Sequence, residues 1–264
     1  MSSFFSIVFQ NPFDYEAAKK YTESSQIFVF IITVAYVILI FGIQHWMKNQ
    51  KPFELRIGLQ LWNLGLAVFS FAGSIVTGKK LFEIVKNEGI VASYCNVGPF
   101  WHGTAGFWTF LFCFSKVAEL GDTVFIVLRK KRLMFLHWYH HVATLNYAVL
   151  TYVDGTAFNT WIVWLNFSVH AIMYFYYFIS ACKIKVSPII ARFITFLQIS
   201  QFVVTHGVLL HVGYLVLVRH PCKLTITSYF YCLFMEISYV YLFGKFFHQA
   251  YIAKGKQNKF EKKQ

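Results

Sequence analysis

The chain has 264 residues, a net charge of +13 and 57% hydrophobic residues, yet only 13% of its residues are charged, about half the share usual in soluble domains. That leaves too little polar surface to cover a water-soluble domain, and it also excludes intrinsic disorder and a small disulfide scaffold. With 20% aromatic residues and a mean hydropathy of +0.52, the composition is that of an all-α integral membrane protein.

The first 26 residues hold Asp14, Glu16, Lys19, Lys20 and Glu23, which is not the pattern of a cleavable signal peptide. The first apolar run therefore reads as a retained span. A helix of about 20 residues crosses the hydrocarbon. On that measure seven transmembrane helices are expected, at 27–47, 58–78, 106–128, 133–153, 158–181, 187–210 and 225–251. The connections are short apart from 79–105, and no linker or repeat divides the chain. One membrane domain is expected over 1–252, including a lumenal segment at 1–26, followed by a basic cytosolic tail at 253–264.

The basic residues orient this arrangement. Lys48, Lys51, Arg56, Arg129 to Arg132, Lys183, Lys185, Arg192 and the tail lysines fall on one side. They are the larger share of the 24, so that side is expected to be cytosolic, with the N-terminus on the other. The positive balance then serves orientation and contact with anionic headgroups, and nucleic acid is not expected as a partner. Cys95 and Cys222 fall in the 2–3 and 6–7 loops, off the cytosolic side, where a disulfide between them is allowed. Two unpaired loop thiols are the alternative. Cys113, Cys182 and Cys232 lie in or at the ends of spans and read as small apolar fillers.

An ionisable group inside a span costs about 2.5–3.5 kcal/mol on insertion scales, so each one is a functional candidate. The third span carries Lys116, Glu119, Asp122 and Thr123 in the run KVAELGDT. Lys116 and Glu119 are three apart and share a helix face, as a structural clamp or as substrate ligands. The fourth span opens with His137-Trp138-Tyr139-His140-His141. His137 precedes the other two by three and four residues, so all three imidazoles point to one sector. Rings this close cannot all be protonated, and neutral imidazoles serve as metal ligands, bases or nucleophiles. In the fifth span Asn166 and His170 are four apart, followed by Tyr174 and Tyr177 on the same face. Thr195, Gln198 and Gln201 run along the sixth. Interhelical hydrogen bonding is the alternative for these two spans. Glu236, His206 and His211 read as packing or lumenal-edge residues.

One HxxHH box also belongs to membrane di-iron desaturases and hydroxylases. That centre needs several such boxes, and the ten histidines here supply one. A seven-helix receptor has no need of a clustered imidazole triad, and a transporter usually has broken helices at matching places in two halves.

KVAELGDT (116–123), HWYHH (137–141), NFSVHAIMYFYY (166–177) and TFLQISQ (195–201) resemble, in type, spacing and order, the four signature blocks of the very-long-chain fatty acid elongases. These are the ELO-type 3-oxoacyl-CoA synthases of the endoplasmic reticulum, and the similarity runs from about Phe53 to Tyr251. Trp138 and Arg132 resemble the subfamily that acts on saturated and monounsaturated chains. The resemblance implies an enzyme that condenses long-chain acyl-CoA with malonyl-CoA, giving 3-oxoacyl-CoA, CO2 and CoA. It implies an acyl-imidazole on His140, with His137, His141 and His170 orienting it and moving protons. It further implies substrate contacts from Lys116, Glu119, Asp122, Asn166, Tyr174, Tyr177, Gln198 and Gln201, and an acyl-chain tunnel enclosed by the spans.

Arg192 and then Lys254 are the first candidates for the CoA phosphates, ordinary positive-inside bias being the alternative. Cys113 is the rival nucleophile, although nothing adjacent would activate its thiol. No metal and no cofactor are expected, the two CoA esters being substrates. Implied partners are the bilayer and the reductases and dehydratase of the elongation cycle, and a homo-oligomer is left open. A reticulum location is implied by the family, and the terminal EKKQ resembles a dilysine signal imperfectly.

Overall fold

The computed structural model describes residues 3–253, so Lys254 and the rest of the expected tail lie outside the described residues. The described residues form helices and no strands. After the short α1 (Phe4–Val8), α2 (Tyr15–Trp46) starts at Asp14, whose carboxylate accepts from the Ala17 backbone N–H at 3.0 Å, satisfying one of the free donors of the first turn. Next come α3 (Arg56–Glu88), the short α4 (Ala92–Cys95), α5 (Gly103–Glu119), α6 (Gly121–Leu128) and α7 (Phe135–Asp154). The last three are α8 (Asn159–Ala181), α9 (Pro188–Leu217) and α10 (Ile226–Phe247). Gly155 ends α7 in the left-handed region at φ 61°, as glycine does most cheaply. Pro188 opens α9 behind a Ser187 cap, where its missing N–H costs nothing.

Five helical stretches are long and apolar enough to cross a membrane: Tyr15–Asn49, Arg56–Glu88, Asn159–Ala181, Pro188–Leu217 and Ile226–Ala253. Their outer faces carry exposed Ile, Leu and Phe, such as Ile27, Phe28, Leu61 and Phe234. Those faces suit lipid contact, and the chain is a multi-pass membrane protein. The expected span 106–128 differs from this pattern because it is two helices, α5 and α6, meeting at Leu120. Leu120 itself keeps right-handed helical angles, φ −58° and ψ −26°, so the break is slight. A Cβ on Gly121 would lie 2.8 Å from the Trp62 ring, so the indole of α3 sits where a side chain would project. The expected span 133–153 becomes α7, whose inward face holds three His and several hydroxyl residues, which lowers its apolar average.

The most extensive seam joins α3 and α8. A Cβ on Gly73 would come within 2.6 Å of Phe167, and one on Gly78 within 2.5 Å of Trp164. Small residues let the two backbones approach, as at membrane helix interfaces generally. At one end of the bundle, Cys95 is disulfide-bonded to Cys222. The Lys223 N–H donates to the Cys95 carbonyl, and the Ala157 N–H donates to the Lys223 carbonyl. That network ties α4, the α7–α8 turn and the α9–α10 loop together. Asp154 adds hydrogen bonds from Thr225 and Ser228 at the start of α10.

At the other end the basic residues are used as clamps. Lys130 donates to the carbonyls of Lys48 and Gln50. Arg56 and Gln60 donate to the Ala181 carbonyl at the end of α8. This end holds the N-termini of α7 and α9 and the C-termini of α8 and α10.

Candidate active site

A cavity of about 320 Å³ opens among α7, α8, α9 and α10 at the basic end. The first turns of α7 place His137, His140 and His141 on its wall. The helical spacing brings the rings together: His137 and His141 are 4.6 Å apart between centroids, and His140 and His141 5.5 Å. None of the three rings is hydrogen-bonded to another described residue, and His140 is the middle one of the set in sequence. Its imidazole lies 4.9 Å from the Tyr239 ring. Its backbone carbonyl accepts from the Tyr239 hydroxyl. His137 Nε2 is buried and unpartnered among the described residues.

From α8 come Asn166, His170, Tyr174 and Tyr177, and from α9 Gln198 and Gln201; all six line the cavity. Asp122, in the first turn of α6, lines it too. Its carboxylate accepts from Trp62 Nε1 and from the Tyr174 hydroxyl, each at 2.6 Å. Charge-assisted bonds of this length hold both partners firmly, so Asp122 fixes the Tyr174 ring on the wall. Gln198 Nε2 points to Met173 Sδ at 3.2 Å.

Lys116 and Glu119 do not line the cavity. They form a fully buried ion pair at 2.7 Å behind α8, and Lys116 also donates to Asn166 Oδ1 at 2.8 Å. Burying two charges is tolerable because they pair and each gains a further hydrogen bond, the second to Glu119 coming from Ser115. Arg192 is likewise off the cavity wall. Its guanidinium donates to the Tyr251 carbonyl at 3.3 Å and lies over the Tyr251 ring. Cys113 is buried against the α2–α5–α7 core and lines no part of the cavity. Glu236, buried in α10, keeps one oxygen without a described partner.

Trp62 and Tyr251 were absent from the sequence expectation. Trp62 acts on Asp122 from 60 positions away, and nothing around it in the sequence marks it. Tyr251 follows α10 in a π-helical turn, His248–Ala253. It closes the mouth through the Arg192 contact and a 3.4 Å contact with Thr195.

Residues 21–259 match the ELO: GNS1/SUR4 family. The chain belongs to the ELO family. The match takes in every residue of the cavity wall, from Asp122 to Tyr251. Among members with curated names, this ELO chain is 44% identical to long chain fatty acid elongase 1 of Caenorhabditis elegans over 87% of this chain and 80% of the relative. It is 37% identical to long chain fatty acid elongase 2 of the same organism, over 97% and 95%. It is 39% identical to very long chain fatty acid elongase 6 of Homo sapiens, over 91% and 94%.

Proposed function

We propose that the chain performs the condensing step of fatty acid elongation, joining a long-chain acyl-CoA to malonyl-CoA through an acyl group held on His140. Relatives named fatty acid elongases along almost the whole chain support the reaction class. The observation that carries the site is the α7 triad His137, His140 and His141, whose rings line the cavity without a described hydrogen bond while Asn166, His170 and Tyr174 opposite are tied to other groups. The choice of His140 within the triad follows the family resemblance.

On this route a His140 ring nitrogen attacks the thioester carbon. The C–S bond breaks, and the proton given up by the imidazole leaves on the CoA sulfur. Malonyl-CoA then loses CO2, and the enolate carbon attacks the acyl-imidazole. A C–C bond forms as the C–N bond breaks, and the imidazole takes up one proton. Acyl transfer to imidazole divides one difficult step into two easier ones. His137, His141 and His170 surround the reacting centre as proton carriers and donors. The balance calls for no redox cofactor and no metal.

In this reading α5–α6 together and α7 are two further spans, making seven. The cavity is the cytosolic end of a tunnel for the acyl chain, and the disulfide end is lumenal. The excess of basic residues at the cavity end supports that orientation and suits a CoA nucleotide held outside. Residence in the endoplasmic reticulum, a preference for saturated or monounsaturated chains, and supply to the reductases and dehydratase of the cycle follow from the family resemblance.

The test is purified protein given a panel of acyl-CoA lengths and unsaturations, with CO2 release from labelled malonyl-CoA and intact-mass detection of the acyl adduct. The expected result is CO2 release with an adduct on His140. An adduct mapped to Cys113 overturns the nucleophile, and two bound irons without CO2 release would turn the reading to a desaturase.

A further inference from the structure

His170 ends a hydrogen-bonded chain of four side chains whose donors and acceptors dictate where its proton lies. Lys116 Nζ is 2.7 Å from Glu119 Oε1 and 2.8 Å from Asn166 Oδ1. An ammonium group only donates, so the Asn166 atom facing it is the amide oxygen. The amide nitrogen is thereby turned to His170 Nε2, at 3.2 Å. That nitrogen also only donates, so His170 Nε2 accepts and carries no proton. The ring is neutral in this arrangement, with its hydrogen on Nδ1. Nδ1 in turn faces Glu119 Oε2 at 3.8 Å, an oxygen that is buried and has no other described partner. The separation is too long for a hydrogen bond. In a dry interior, however, it is short enough for the carboxylate to favour an N–H on that side.

We propose that Lys116 and Asn166 are positioning residues: they hold His170 as the Nδ1–H tautomer, with Glu119 Oε2 placed to balance charge when Nε2 takes a proton. The proposal rests on the condensing reading above. His170 lines the same cavity as His140, and on this route its Nε2 takes the proton released when His140 is acylated, replacing the weak Asn166 hydrogen bond. It leaves again on the CoA sulfur, and the ring returns to its starting tautomer. Lys116 never touches substrate in this scheme, since it stands behind α8 with its ammonium over the Phe112 ring.

Imidazole-¹⁵N-labelled protein in lipid nanodiscs reads the tautomer without turnover, the His170 signal being the one lost in His170→Gln. Wild type is expected to show Nδ1–H. Lys116→Met frees the Asn166 amide to rotate, so Nε2–H is expected to appear. The kcat for CO2 release should fall about 10²-fold, in the range of general-base losses, while KM for acyl-CoA stays within about two-fold. Lys116→Arg keeps a donor-only cation, and both the tautomer and kcat should recover. Should Lys116→Met fail to fold because Glu119 is left unpaired, Lys116→Met with Glu119→Gln removes both charges and gives the same readout. An active wild type with Nε2–H, or a Lys116→Met protein that keeps Nδ1–H, overturns the proposal. A wild type that releases no CO2 overturns the condensing reading instead, and with it the catalytic use of the tautomer.

Discussion

The cavity is bounded on two sides by bonding of opposite quality. On the α6–α8 side, the bonds of Lys116 to Glu119 and Asn166 are buried and those of Asp122 to Trp62 and Tyr174 part-buried, all at 2.6–2.8 Å. At the mouth, Arg192 and Thr195 reach Tyr251 at 3.3 and 3.4 Å. Short charge-assisted bonds in a dry interior fix geometry, whereas long and partly exposed ones contribute little. The contrast suits the proposed condensation. On that route reacting groups would have to hold their positions, while a mouth passing two CoA esters and releasing one free CoA per turnover would have to open repeatedly.

The largest test of this contrast is His140→Ala. It should leave no acyl adduct and lower CO2 release by about 10³-fold or more, the scale seen when a nucleophile or its base is removed, with thermal stability little changed. Next is Asp122→Ala on the rigid side. It strands the Trp62 N–H and the Tyr174 hydroxyl, each at about 1–3 kcal/mol. A lower unfolding midpoint in detergent and a lower kcat should accompany each other.

Gly73→Ala sets a new methyl 2.6 Å from Phe167 and should destabilise by about 1–3 kcal/mol. Gly244→Ala, with nothing within 4 Å, should be neutral or stabilise by up to about 1 kcal/mol. Opposite signs in a thermal-shift series would place the rigidity on the α3–α8 side. The smallest effect belongs to Tyr251→Phe, which removes only the 3.4 Å contact with Thr195. Stability should move by less than about 0.5 kcal/mol and KM by less than about three-fold. A loss as large as that of Asp122→Ala would mean that the mouth is built as tightly as the back wall.

Much of the site could be read from the chain because its pairs are local. Lys116 with Glu119, the three His of α7, and Asn166 with His170 are all at helical spacings, and the structure brings each pair or triad together. The functional weight of Lys116 and Glu119 was less legible. Their spacing fixes that they pair, but the direction of that face, away from the cavity and onto Asn166, depends on how α5 packs against α8.

Trp62 was invisible for the same reason, since it meets Asp122 across 60 residues. Gly121 packs against the same indole, which leaves no room there for a side chain. Apolar run length marked out α2, α3, α8, α9 and α10 directly. It is a poorer guide to α7, where the histidines and hydroxyls dilute the apolar signal.

The glycines of α3 have a consequence for small-molecule inhibitors of the site. Phe167 and Trp164 are seated on Gly73 and Gly78, so α8 cannot rotate about its axis without driving an aromatic ring into the α3 backbone. The wall bearing Asn166, His170 and Tyr174 is therefore a fixed template. A compound touching α8 should show steep, shape-specific structure–activity relationships, whereas the part of it lying toward α9, α10 and Tyr251 should tolerate wide variation in size. Fragment growth from the mouth inward would meet that change in tolerance at the His170 ring.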